Sequence, residues 1–218
     1  MITPLLLSIQ VGLPKQVYDI DASGAMRESW LTAFFKEPTQ GPIKLGREGL
    51  VGDGQADRRV HGGPEKAVLC YSASHYPIWR EELKLSDLGY GAFGENFTVE
   101  GLTEATVCIG DTYEVGEVSL QVSQPRQPCW KLSRRFHINN LAQRVVETNR
   151  AGWYFRVIRE GEVREQTPLI LLSRPCPEWS IVKVNDIIYG RHSDTKAARE
   201  LSQCQLLSRD WRKFLRRM

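Results

Sequence analysis

The chain has 218 residues, of which 41% are apolar and 25% charged, with a net charge of +3 at neutral pH. That length suits one full domain with a small appendix, and the apolar share can build a sizeable core. No segment is charged enough for disorder, and so small a net charge argues against a nucleic-acid partner. The charge is unevenly placed: Arg191–Met218 carries eight Lys/Arg against three Asp/Glu, a net of +5. Such a tail either binds anions or, more commonly, is the solvated face of short helices.

The N-terminal MITPLLLSIQVGLPKQ has no basic leader before its apolar residues, and its apolar run is too short to span a bilayer. It reads as a first strand, so no membrane association is expected. The five cysteines, Cys70, Cys108, Cys129, Cys176 and Cys204, are odd in number, widely spaced and without a CxxC pair. Neither a disulfide framework nor a structural zinc site is expected, and a reducing, cytoplasmic setting is inferred.

From Leu5 to about Ser173, short apolar runs alternate with Gly, Pro and Asp breaks. The predicted strands are Leu5–Val11, Ser29–Phe35, Ala67–Tyr71, Asn96–Val99, Thr112–Val115, Ser119–Ser123, Phe155–Ile158 and Pro168–Ser173. Many short strands with tight turns point to a closed or nearly closed barrel. Helical spacing interrupts them at Ser74–Leu83 and Asn140–Thr148. After Arg174-Pro175-Cys176-Pro177 the pattern turns helical. Ser180 can cap a helix carrying Ile181, Val184, Ile187 and Ile188 up to Gly190, Ser193 or Asp194 a second through about Cys204, and Ser208 a third with Trp211, Phe214 and Leu215. Three such short helices need tertiary packing to persist. The expected organisation is mainly β with α additions, a barrel over 1–177 followed by a three-helix unit over 178–218.

Three stretches can carry chemistry. In QVSQPRQPCWKLSRRF, Pro125 and Pro128 stiffen a loop that presents Cys129 among Arg126, Lys131, Arg134 and Arg135. Nearby cations favour a thiolate, which can act as a nucleophile or a soft metal ligand. A cysteine packed as a small hydrophobe is the alternative. Trp130 beside it either stacks on a planar substrate or packs inside, and packing is the preferred reading. In GLVGDGQADRRVHGGPEK, Gly62-Gly63 lets backbone N–H groups approach a ligand, with Arg58, Arg59, His61 and Lys66 alongside. This resembles an anion cradle, although no Gly-Lys-Ser/Thr makes it a P-loop, and a lone histidine is more often structural. In Phe93-Gly94-Glu95-Asn96, the carboxylate and amide either bind a polar heterocycle or satisfy the turn's own backbone. Lys36 ends a predicted strand where its amine either faces a pocket mouth or is solvated. All of these lie at strand ends, where barrels hold ligands.

These residues also resemble a known family. GLVGDGQAD, HGGPEKAV, YSASHYPIW, AFGENFTVEGLTE, IGDTYEVG, QVSQPRQPCWKL and AGWYFRVI are similar to the MOSC-domain family (named for the C-terminal domain of molybdenum-cofactor sulfurase), and most to its bacterial YiiM-like branch. The resemblance implies a β-barrel holding a molybdenum cofactor, a pyranopterin whose dithiolene binds the metal. It implies that Cys129 supplies a thiolate to molybdenum. It further implies that Lys36, His61, Asn96 and Arg126, with Arg58, Arg59 and Lys131, hold the pterin and its phosphate beside Gly62 and Gly63. The implied activity is two-electron reduction of N-hydroxylated compounds such as hydroxylaminopurines, amidoximes and hydroxylamines. With no flavin, haem or iron–sulfur motif in the chain, electrons are expected from a separate flavoprotein or iron–sulfur reductase, for which the basic tail is a candidate docking site. Two other readings stay open: a sulfur carrier with a persulfide on Cys129, or a module that binds and delivers the cofactor without turnover. Whether a homodimer forms is left open, with the Trp-rich loops near Tyr76–Trp79 and Trp153 as a candidate interface.

Overall fold

The computed structural model describes residues 3–20, 26–190 and 195–218. Its strands are β1 (Leu5–Val11), β2 (Lys15–Ile20), β3 (Met26–Thr32), β4 (Glu37–Pro38), β5 (Ile43–Gly46), β6 (Gly49–Leu50), β7 (Val68–Ser72), β8 (Phe97–Glu100), β9 (Thr112–Val115), β10 (Val118–Pro125), β11 (Trp153–Arg159), β12 (Gly161–Val163), β13 (Thr167–Pro168) and β14 (Ile170–Ser173). The helices are α1 (His75–Leu83), α2 (Trp130–Phe136), α3 (Leu141–Glu147), α4 (Ile181–Ile188), α5 (Thr195–Gln203) and α6 (Arg209–Leu215).

The main sheet runs β13-β1-β8-β7-β11-β10-β9-β14, with β4 joined to the far end of β1. All its pairs are antiparallel except β7 and β8, which run parallel with Cys70 opposite Phe97. A parallel neighbour and cover on both faces explain why β7, VLCYS, is buried at every position. The two ends of the sheet are halves of one segment broken at Leu169. Pro168 pairs with Leu5 on one side and Leu171 with Tyr113 on the other. The mixed sheet therefore curls into a half-barrel whose ends a single bent segment joins. The sequence pattern treats 168–173 as one strand; the bend divides it between two partners.

The fold is mainly β with α additions, as expected. A continuous apolar cluster fills the sheet's inner face and extends through Ile181, Val184, Leu201, Trp211 and Leu215 of the three C-terminal helices. Ser180 Oγ accepts a hydrogen bond from Lys183 N at 3.3 Å and caps α4. The expected cap at Ser193 or Asp194 lies outside the described residues. A second cluster, with Tyr71, Trp79, Phe93, Leu132 and Leu141, packs α1, α2 and α3 together on the outer side. Tyr76, Trp79 and Trp153 are buried. Their rings are spent on the core, so these three side chains are not offered at the surface. Among the described residues, no helix is long and apolar enough to cross a membrane.

Candidate functional site

Four connecting segments and the strands β7 and β11 meet around a cavity of about 660 Å3, counting its open mouth. Thr32, Ala33, Phe34 and Lys36 come from the end of β3 and the β3–β4 connection, and Asp53–Ala56, His61, Gly62 and Lys66 from the long loop before β7. Leu69 comes from β7, Gly94 and Asn96 from the turn before β8, Arg126, Gln127 and Cys129 from the β10–α2 connection with Lys131 at the start of α2, and Tyr154 from β11.

Cys129 is half-buried in the cavity wall. Sequence reading places it on a stiff loop; it is in fact the N-cap of α2, with φ −109° and ψ 165°. Its carbonyl accepts from Leu132 N at 3.1 Å, while its Sγ has no partner among the described residues. The residue is thus held through its carbonyl and, among the described residues, free at sulfur. The helix also separates the four cations of this stretch. Arg126 and Lys131 line the cavity. Arg134 turns to Asp19 and Glu28 on the β2–β3 hairpin, at 2.6 and 2.8 Å. Arg135 donates to the Phe34 and Gly91 carbonyls at 3.1 and 3.3 Å. Trp130, read as a packing residue, is 55% exposed. Its ring lies 5.7 Å from that of Trp30, beneath the Arg134 guanidinium, in a wide groove that opens outward from the cavity.

The cavity floor is a polar network. Lys36 is ion-paired with Asp53, and both side chains are nearly removed from water. Asp53 also accepts from Gly12 N at 2.9 Å and from Asn96 Nδ2 at 3.0 Å. Asn96 Nδ2 donates in addition to the Gln10 carbonyl, and Asn96 Oδ1 accepts from Leu69 N. Both amide protons are therefore committed within the protein, so Asn96 sets the position of Asp53. Burial pulls the Lys36 amine below its usual range, against the opposing pull of Asp53 and Glu95. An ammonium has three protons, and Asp53 takes one, which leaves donors for the cavity. The neighbouring Glu95 is fully buried and satisfies its own turn, accepting from Gly91 N, Phe93 N, Thr98 Oγ1 and the Tyr76 hydroxyl.

Cations dominate the wall. Arg126 is only 4% exposed, and its Nη1 has no hydrogen-bond partner among the described residues. Lys131 Nζ donates to the Leu31 carbonyl at 2.8 Å, and Lys66 Nζ to the Val60 carbonyl at 3.1 Å. Burial first, then Lys131, Arg126 and Lys66, push His61 below its usual value. Gly62 lines the cavity with φ +79°, and a Cβ there would come 2.5 Å from Gln55 Oε1. Only glycine suits that position. Gly63, at φ +82°, caps the short 3-10 turn Pro64–Lys66 and lies outside the cavity lining. Arg58 is exposed and paired with Glu48 at 2.7 Å, and Arg59 is paired with Asp57 of its own turn. Both face the outer groove.

Sequence reading missed two lining residues. Asp53 stands inside a quoted stretch, but its partner lies 17 positions away. Tyr154 alternates outward along β11 between the buried Trp153 and Phe155, which was its one local signal. Burial above all, with Cys129 and Asp53 nearby, raises the Tyr154 hydroxyl, while Arg126 opposes.

The donors suit an anionic ligand that brings its own metal ligands. Among the described residues no three His, Cys, Asp or Glu side chains converge as a metal-binding set. A single Cys129 thiol cannot hold a metal alone, whereas one thiolate can complete the coordination of a metal carried on a dithiolene. The unpaired Arg126 Nη1, the Gly62 approach and the Lys66 and Lys131 amines match a phosphate-bearing pterin.

Comparison with known proteins agrees with this geometry. The model of the MOSC domain, a molybdenum-cofactor-sulfurase-type domain, matches residues 57–169. YflK of Bacillus subtilis (strain 168) is 42% identical over 95% of this chain and 90% of its own length. A protein named "Reductase" from Gibberella moniliformis (strain M3125 / FGSC 7600) is 36% identical over 91% of this chain, which spans only 35% of that protein. The crystal structure of YiiM from Geobacillus stearothermophilus superposes with a TM-score of 0.80 at 32% identity, covering 98% of both chains. Motifs, fold and relatives converge: the chain belongs to the MOSC-domain family and is YiiM-like.

Proposed function

We propose that this chain is a molybdenum-cofactor-dependent reductase of N-hydroxylated compounds. The observation that carries the reading is the sharing of one cavity by a free thiol, Cys129, and a buried guanidinium, Arg126, that has no protein anion among the described residues. Burying an unpaired cation is costly, so its presence calls for an anion from outside the chain. When bound, the cofactor would supply a two-electron couple for N–O cleavage. The overall change balances as R–NHOH plus two electrons and two protons giving R–NH2 and water.

The remaining tasks fall to the protein. Cys129 Sγ would be the protein's ligand to the metal. Arg126, Lys131 and Lys66 would hold the phosphate and offset dithiolene and thiolate charge, with the Gly62 backbone close by. Tyr154, whose hydroxyl stays protonated, would donate a hydrogen bond to an oxygen in the cavity. His61, neutral at physiological pH, would accept or pass a proton at its imidazole. Trp130, backed by the buried Trp30, would stack on a planar substrate at the mouth. Electrons would come from a separate flavoprotein or iron–sulfur reductase.

The test is to produce the full chain in a host that makes the cofactor, measure molybdenum per chain, and assay a hydroxylaminopurine with a reduced viologen dye. Wild type is expected to carry about one metal per chain and turn over, and Cys129→Ser to lose both. A Cys129→Ser protein with normal metal and undiminished turnover would falsify the proposal. Metal-free wild type with one extra sulfur on Cys129 would instead select the sulfur-carrier reading.

A further inference from the structure

The seam between the half-barrel and the C-terminal helices holds two thiols that the site does not use. Cys176 lies just after β14, between Pro175 and Pro177, and Cys204 in the turn after α5. Their sulfurs are 3.7 Å apart, at van der Waals contact, although the residues are 28 positions apart in sequence. Both are half-buried, so a small oxidant can reach them. Neighbouring backbone bonds hold each in place: the Cys176 carbonyl accepts from Trp179 N at 3.1 Å, and Cys204 N donates to the Leu201 carbonyl at 3.1 Å. The nearest competitor, Cys108, is buried and donates to the Pro177 carbonyl at 3.5 Å.

We infer that Cys176 and Cys204 form a reversible disulfide that fastens the C-terminal helices to the half-barrel under oxidising conditions. A disulfide needs a sulfur separation of about 2.05 Å, so closure requires small side-chain rotations from the present contact. The oxidant is a hydroperoxide. One thiolate attacks its O–O bond, releasing water or alcohol and leaving a sulfenic acid. The second thiolate displaces hydroxide from that sulfur, and the two thiol protons end in the oxygen products. A thiol reductant reverses the bond by exchange.

The bond would close a loop containing all of α4 and α5. It would also pin a turn already tied to the cavity side. The Leu206 carbonyl, two residues on, accepts from Arg156 Nη2 at 2.9 Å. Arg156 pairs with Glu65, whose Oε2 accepts from Arg209 N at 2.9 Å. Lys66, next to Glu65, lines the cavity.

The experiment uses the full chain, reduced and then exposed to hydrogen peroxide, alkylated and mapped by mass spectrometry without reduction. A Cys176–Cys204 linked peptide in monomeric protein, removed by dithiothreitol, is expected. Thermal unfolding of the oxidised form should rise by on the order of 5–10 °C, as expected for a loop of this length. Cys204→Ser and Cys176→Ser should show neither the linked peptide nor the rise. If both thiols are alkylated after exposure, or either is found joined to Cys108, Cys129 or a second chain, the inference is overturned. None of these readouts depends on bound cofactor or turnover, so the result stands apart from the proposed activity.

Discussion

Lys36 and Asp53 form an ion pair in the cavity floor with side-chain exposures of 7% and 3%. Two ions so far from water are stable only together and with further hydrogen bonds, and Gly12 N and Asn96 Nδ2 supply those to Asp53. Removing one charge leaves the other stranded. Asp53→Asn should lower unfolding free energy by about 3–5 kcal/mol, read from the urea midpoint. The double variant Lys36→Met/Asp53→Leu should be more stable than the single one. A double variant no better than Asp53→Asn would show that the pair is not the unit.

Arg126 presents the opposite situation: a buried cation whose Nη1 has no partner among the described residues. Arg126→Met keeps much of the side-chain volume and removes the charge. The cofactor-free protein should gain on the order of 1–2 kcal/mol of stability, since an unsatisfied buried group disappears. Retention of molybdenum should fall sharply. The variant that is more stable when empty is thus expected to be the one that cannot be filled, and equal metal content would separate Arg126 from cofactor binding.

How much of this was legible in the sequence follows from how local each signal is. β1 and β9 match their expected spans because each is a compact run of strand-forming residues bounded by breaks. β2, KQVYDI, was missed because its polar residues mask the pattern of a solvent-facing hairpin. α2 was missed because prolines at 125 and 128 precede it and its WKLSRRF sequence has only three apolar side chains, of which Leu132 alone is buried. Cys129 was found through its local setting. Arg126 was named beside it, but the absence of Arg58 from the inner cavity was not legible, because the two are the same residue type with opposite fates. Glu48 and solvent take Arg58, and the meeting of β10, β11 and the β3–β4 connection encloses Arg126.

His61 should report on charge in the cavity. Its folded value lies below the ordinary 6.5 because of burial and the three nearby cations. Between the two values the unfolded chain binds a proton that the folded chain does not. Stability therefore rises with pH through this window and falls on acidification below 6.5. His61→Gln should flatten that slope. In wild type, inorganic phosphate should move the His61 resonance titration upward as an anion offsets Lys131, Arg126 and Lys66. A titration unaffected by phosphate would place the anion elsewhere.

Trp130 stands at the groove edge, more than half exposed, against Trp30 and under Arg134. Stacking a planar base on an indole contributes roughly 1–3 kcal/mol. Trp130→Ala should raise KM for a hydroxylaminopurine about tenfold or more, with kcat little changed and KM for small hydroxylamine unaffected. A proportional loss with both substrates would assign the ring to packing.

The basic C-terminal helix offers a test of the electron-donor expectation. Arg209, Lys213, Arg216 and Arg217 are all exposed. Exposed charges of one sign mainly alter encounter rates, and they do so more at low salt. Replacing these four by Gln should slow turnover driven by an acidic flavoprotein or iron–sulfur donor and flatten its dependence on ionic strength. Turnover driven by a reduced dye should stay intact, because none of the four lines the inner cavity. Equal loss with both donors would mean that the tail stabilises the helices, and the docking role would be withdrawn.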